Sequence, residues 1–321
     1  MKSKAIIWCA FLAIALYLLI SLFIFPRMAL RAKDNPVVTS PQDVGVEYQD
    51  VSIASDNILL KGWWMPVASP RATLLFVHGA GANRTSRFFG SLDFYKAAHD
   101  HDIAVLTIDL RNHGESPATD GWLQMGRTEW RDIAASLEWL TSVTDEATPS
   151  LVMGASMGGA AAIQAQANGV TADGWILVDP ALNNVDALVQ GGWITFGLPR
   201  WLFYPFAYAS VAFYGVPGHQ ADGLAIGQTI DQPTLLIQDP DDRITRLPFA
   251  RALAANNPAI ILREAPLISA DEPCMAGKGR RWGTHVAAFL CRPQWFLAEI
   301  NEYLDQVVLA KPTQARMLYE P

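Results

Sequence analysis

The chain has 321 residues, of which 51% are hydrophobic and 17% charged, with a formal net charge of −7. That length and apolar content supply one large core or two small ones. An acidic balance without any lysine/arginine block argues against a nucleic-acid partner. No 20–50-residue repeat and no low-complexity tract interrupts the chain.

Ala5 to Phe25 is apolar except for Tyr17 and Ser21 and carries no charge. As a helix it would rise about 30 Å, one hydrocarbon core. A cleaved leader has a shorter apolar run and a small-residue cleavage site. Phe23-Ile24-Phe25-Pro26-Arg27 offers neither, so residues 1–26 are expected to be an uncleaved single-pass anchor, in the membrane through residues 5–25. Lys2 and Lys4 on one flank oppose Arg27, Arg31 and Lys33 on the other, so positive charge does not decide its orientation. Residues 27–43, rich in charge and proline, read as a juxtamembrane linker. The body is expected on the exported side, periplasmic or extracellular. There Cys274 and Cys291 could close a disulfide; the other reading is two unrelated buried thiols.

The body is expected over residues 44–308, followed by a tail over 309–321. Val44–Ile53 and Leu59–Val67 read as paired strands around Ser55-Asp56-Asn57. Ala72–Val77 is a continuous apolar run ending in His78-Gly79-Ala80-Gly81. A helical stretch, Ser86–His99, leads to a second buried run, Ile103–Ile108. In Arg127–Thr141, Trp130, Ile133, Leu137 and Leu140 fall at helical spacing. Strands are predicted at Ser150–Met153, Gly174–Val178, Pro233–Ile237 and Ala259–Arg263. Helices are predicted after Ser156 up to Asn168-Gly169, over Leu247–Ala255, and over His285–Val308. Apolar runs alternating with helices mean an α/β fold, a mostly parallel doubly wound sheet with helices on both faces. Between two of the strands, at about 181–230, lies an aromatic-rich insertion that includes Trp193, Phe196, Trp201, Phe203 and Phe206. It predicts a small helical cap whose rings pack onto the body and line an apolar pocket.

The chemistry concentrates where strands end. Gly154-Ala155-Ser156-Met157-Gly158 sits between an apolar run and an alanine-rich one, the strand–turn–helix context of a nucleophile elbow. A serine hydroxyl needs a base, usually histidine oriented by a carboxylate. Of six histidines, only His219 and His285 follow Ser156, and only His285 follows the last predicted strand. For the acid, Asp239, Asp241 and Asp242 compete in the turn after Pro233–Ile237, with Asp179 as an outside candidate.

Taken in order, His78-Gly79-Ala80-Gly81, Asp109-Leu110-Arg111-Asn112-His113-Gly114-Glu115-Ser116, the elbow, the acidic turn and Gly283-Thr284-His285 resemble the α/β-hydrolase superfamily, specifically bacterial membrane-anchored serine hydrolases with a helical cap. The resemblance covers about residues 44–308. It implies that Asp242 is the acid, because the acid turn of the family commonly reads glycine, two variable residues, then aspartate. Asp239 stands where that glycine would be. It further implies an oxyanion hole from the backbone N–H groups of Ala80 and Met157. His78 and the Asp109–Ser116 turn read as structural.

The expectation is a serine hydrolase, carboxylesterase- or lipase-like, that acts on a small and apolar acyl substrate through Ser156, His285 and Asp242. Amide, peptide or thioester hydrolysis on the same three residues is the first alternative, and a non-catalytic binding protein on this fold the second. Neither a metal cluster nor a dinucleotide fingerprint occurs in the sequence, so no cofactor is implied. The oligomeric state is left open.

Overall fold

The computed structural model describes residues 2–33, 35–278 and 282–310. The tail expected over 309–321 falls outside these from residue 311 on. Eight strands form one sheet: β1 (Gln49–Ser55), β2 (Ile58–Met65), β3 (Ala72–Val77), β4 (Ile103–Ile108), β5 (Ser150–Ala155), β6 (Gly174–Val178), β7 (Thr234–Gln238) and β8 (Ile260–Glu264). Their spatial order is β1-β2-β4-β3-β5-β6-β7-β8. β1, β2 and β4 pair antiparallel, and every pair from β4 through β3 to β8 is parallel.

The apolar runs are continuous because both faces of the sheet are covered. Leu75 and Val77 of β3 join one core, with Val152, Leu177 and Leu236 of the neighbouring strands. Leu74 and Phe76 point the other way, with Met153, Ile176 and Ile237. The first core is covered by α4 (Trp130–Val143), α5 (Met157–Ala167) and α9 (Leu247–Asn256), through side chains such as Ile133, Ala161 and Leu253. The second is covered by α3 (Ser91–Asp100) and α11 (Pro293–Ala310), through Phe94, Phe296 and Leu304. β4 lies on one side of β3 and β5 on the other, so the chain reverses its winding there. That crevice at the carboxyl ends of strands is where such sheets bind ligands.

Two helix boundaries differ from the sequence expectation. Residues 86–90 form a turn that ends at Gly90 (φ 79°), and α3 starts only at Ser91. The final helix does not begin at His285. Turns and a short helix, α10 (Ala288–Cys291), come first, and α11 starts at Pro293, where a missing N–H costs nothing. The Cys274–Cys291 disulfide is formed, and it closes the segment that carries His285.

Between β6 and β7 lie α6 (Asn184–Phe196), α7 (Tyr204–Phe213) and α8 (Gly223–Gly227). The N-terminal helix runs through α1 (Lys2–Leu19), one π-helical turn and α2 (Phe25–Ala29). Lys4–Ala29 is long and apolar enough to cross a membrane. Its end is not detached from the body. Phe25 stacks on Phe196 at 5.2 Å and meets Phe203 and Phe206 at 6.3 and 6.2 Å. The segment read as a linker is pinned too. Leu30 is buried, Leu123 N–H donates to Leu30 O at 2.7 Å, and Asn83 Nδ2 donates to the carbonyls of Asn35 and Pro36. Every one of these contacts joins residues far apart in the chain, which is why charge and proline content gave no sign of them.

Candidate active site

β5 ends at Ala155 and α5 begins at Met157, so one residue makes the turn between them. Ser156 makes it with φ 54° and ψ −115°, a conformation that L side chains rarely adopt. Its N–H donates to Val178 O at 2.9 Å, which fixes the turn against β6. The backbones pass too closely for side chains. A Cβ on Gly154 would collide with Gly158, and one on Gly158 with the carbonyls of Val77 and His78.

The other predicted residues come from loops at the same sheet edge. His285 Nε2 lies 3.0 Å from Ser156 Oγ, and His285 Nδ1 lies 2.7 Å from Asp242 Oδ2. Asp242 follows β7, with its side chain fully buried. Its Oδ1 accepts the N–H groups of Ile244 and Thr245 at 2.7 and 3.0 Å, and Thr245 Oγ1 donates to its Oδ2. Asp241 points outward, 51% exposed, toward Arg243.

Two links join the loop of the histidine to the loop of the acid, and a third joins it to Asp179 after β6. Asp242 and Gly283 form an isolated antiparallel bridge. Thr284 Oγ1 donates to Asp239 Oδ1, and Val286 N–H donates to Asp179 Oδ2 at 2.7 Å. Val286 pays for the last link with φ 50°, an uncommon angle for a β-branched residue. Asp239, at the position where the resemblance leads one to expect glycine, is therefore a tether. It also accepts Asp241 N–H at 3.0 Å.

Asp179 does not touch the imidazole. It accepts Asp239 N–H and Val286 N–H, both at 2.7 Å. Burial first, then the nearby carboxylates of Asp242 and Asp239, push its pKa well above the ordinary range. Burial likewise raises Asp239 to about 6, against the Thr284 hydrogen bond that opposes it. Asp239 Oδ2 has no partner among the described residues. One atom each of Asp179, Asp242 and His285 lies within 4.8 Å of the others, as a metal would require. These groups are already engaged: the imidazole with Asp242, and Asp179 with two backbone donors.

Met157 follows the serine directly, and Ala80 lies in a loop of the same cavity. Met157 opens α5, whose first N–H groups have no intrahelical acceptor. Ala80 lies in the loop after β3 and lines the same cavity as Ser156. Neither amide donates to another group among the described residues. Two histidines hold the Ala80 loop. His78 Nδ1 bonds to Gly79 O at 2.8 Å, and its Nε2 accepts Leu110 N–H at 3.1 Å. His113 Nε2 accepts Gly81 N–H at 3.2 Å, and its Nδ1 bonds to Arg111 O. Burial lowers both pKa values, that of His78 to about 3. Each ring accepts an N–H through Nε2, as a neutral imidazole does. The sequence placed His113 within a turn read as structural; its bond to Gly81 gives it an individual part in holding the Ala80 loop. Asp109 makes the loop of His113 rigid. It accepts from the backbone N–H groups of Arg84 and Glu115 and from the Arg84 guanidinium at 2.6 Å.

Ser156 and His285 open into a cavity of about 850 Å³. Of the rings of the insertion, Phe196, Phe203 and Phe206 line it, joined by Phe25 from the N-terminal helix. Trp201, Tyr204, Tyr208 and Phe213 are exposed and lie outside its lining.

Several solved structures share this architecture. An esterase of Pyrococcus furiosus superposes with a TM-score of 0.67 at 22% identity, covering 87% of this chain and all of that one. An esterase of Thermogutta terrifontis gives 0.55 at 19%, covering 81% and 99%. One from Exiguobacterium antarcticum gives 0.54 at 16%, covering 80% and 100%. At those identities the likeness is one of fold. No curated protein matches the sequence. Residues 74–313 match the model of the alpha/beta hydrolase family, three quarters of the chain and every loop that meets at Ser156, and the chain belongs to that family.

Proposed function

We propose that the chain is a serine esterase that works by two-step acyl transfer. Ser156 Oγ attacks the ester carbonyl carbon while its proton passes to His285 Nε2. The carbonyl oxygen, now negative, takes hydrogen bonds from the N–H groups of Ala80 and Met157. Donors of this kind are each worth about 3 kcal/mol in the transition state. Asp242 holds the imidazole through Nδ1 and favours its charged form. The intermediate collapses as His285 gives its proton to the leaving alcohol. Water, deprotonated by the same imidazole, then releases the acid and restores the serine.

The observation that carries this reading is the pair of contacts on one imidazole, 3.0 Å to Ser156 Oγ and 2.7 Å to Asp242 Oδ2. Both lie within hydrogen-bond reach, as nucleophile, base and orienting acid require. The test is labelling with a fluorophosphonate, followed by turnover of nitrophenyl esters. Label on the wild type and none on Ser156→Ala is the expected outcome. An unlabelled wild type would favour a non-catalytic binding protein. Faster turnover of matched amides or thioesters would move the reaction to those bonds.

We propose further that the body lies on the exported side of the membrane. The Cys274–Cys291 bridge supports this, since disulfides persist in oxidising compartments. Protection of the body from added protease in intact, wall-stripped cells would overturn it.

A further inference from the structure

The cavity at Ser156 is not built by the hydrolase body alone, and its composition is lopsided. Its lining includes Phe25 and Met28 of the N-terminal helix together with Phe203 and Phe206 of the insertion. It also includes four cations, Arg31, Lys33, Arg87 and Lys278, and no carboxylate among its described residues. In a chain of net charge −7 this is an uneven placement. None of the four forms an ion pair with a described residue. Arg31 lies over the Trp122 ring at 5.6 Å, and Lys278 Nζ donates to His285 O at 3.3 Å and lies 5.5 Å from the Phe88 centroid.

The N-terminal helix also fixes where the cavity sits. Contact with the insertion begins at Tyr17, whose hydroxyl donates to Leu202 O at 2.9 Å. It continues where Tyr214 donates to Leu22 O at 3.2 Å and where Phe25 packs. The surface of the insertion beside this helix suits a membrane interface: Trp201 is 66% exposed, Phe213 76% and Tyr208 50%, aromatic types that concentrate there.

We propose that the substrate is a fatty acyl ester drawn from the bilayer whose alcohol part carries a phosphate anion, the chain lying against Phe25 and Phe206 and the anion at Arg31, Lys33, Arg87 and Lys278. The inference rests on Ser156 as nucleophile and names what that nucleophile meets. Guanidinium and ammonium groups both bind phosphate, the first in a bidentate manner. A neutral glyceride of equal chain length brings no anion to the four cations. A soluble phosphate ester with a short chain leaves the aromatic lining unused.

The test uses the full chain reconstituted in vesicles of diether phosphatidylcholine, which holds no ester of its own. Three substrates are compared on one preparation: palmitoyl lysophosphatidylglycerol, monopalmitoylglycerol, and soluble butyryl glycerophosphate. The first is expected to be hydrolysed roughly tenfold faster than either of the others. Arg31→Glu combined with Lys33→Glu should bring the ratio of the first rate to the second down to about one or below, while Arg31→Lys alone preserves most of it. The inference falls if the neutral glyceride matches the anionic lipid in the wild type. It falls equally if charge reversal leaves that ratio unchanged, or if the soluble ester is preferred. In all those cases turnover itself continues, so the esterase reading stands. A chain that turns over none of the three and takes no fluorophosphonate label removes both.

Discussion

Asp241 and Asp242 are adjacent in the chain, yet only one of them turns inward. The side chain of Asp242 is fully buried under four donors, while that of Asp241 is half exposed. Asp242→Asn should therefore lower kcat by about four orders of magnitude, as loss of the correct imidazole tautomer does elsewhere. Asp241→Asn should change it by less than about threefold. Steady-state rates on one nitrophenyl ester separate the two, and equal losses would count against the assignment. That Ser156 and His285 would meet was legible in the sequence, because a local motif marks one and chain order isolates the other. Which aspartate would join them was not, on residues alone. Which carboxylate turns inward depends on Thr245, Thr284 and the short bridge to Gly283, partners that no local pattern reveals. The tethering role of Asp239 was hidden for the same reason.

At the scale of elements, the elbow and the histidine segment make different demands. In the elbow the constraint is space. Gly158→Ala should cost about 1–3 kcal/mol in urea unfolding, because the added methyl meets the carbonyls of Val77 and His78. In the histidine segment the constraint is chain freedom. Replacing both Cys274 and Cys291 by serine should lower stability by about 3 kcal/mol. The same change should reduce kcat, since the loop it frees carries His285. An unchanged unfolding midpoint under reducing conditions would refute the first half of this. The central strands β3 to β7 were the most legible elements, because burial on both faces writes them as largely apolar runs, whereas the mostly exposed β1 starts five residues later than expected. The helices of the insertion were least legible. Their aromatic residues face the cavity, the core and the outside, which erases any helical period. The last helix was placed too early because apolar residues continue back through Val286–Leu290, while its true start depends on Pro293.

For the whole molecule, the buried neutral histidines couple stability to pH. The pKa of His78 lies near 3 in the folded chain, and a histidine exposed by unfolding titrates near 6.5. Between those values the unfolded chain binds the extra proton, so this contribution to stability is full above about 6.5 and is lost as the pH falls. The stability of the wild type relative to His78→Gln should grow by about 2 kcal/mol from pH 5 to pH 7. A difference independent of pH would mean that the ring takes up its proton as readily in the fold as in the unfolded chain. Asp239, raised to about 6, has the opposite slope: stability falls as pH rises from its unfolded value through 6, which is why the comparison is made between variants.

The ring of Phe25 lies in the helix that composition marks as a membrane span and also in the wall of the cavity that holds Ser156. A shortened version that begins after Ala29, made to obtain a protein that dissolves without detergent, would lose that wall. Phe196, Phe203 and Phe206 would then lose their stacking partner and face water or one another. Chain-length selectivity measured on such a fragment would describe a wider and leakier pocket than the one the intact polypeptide encloses.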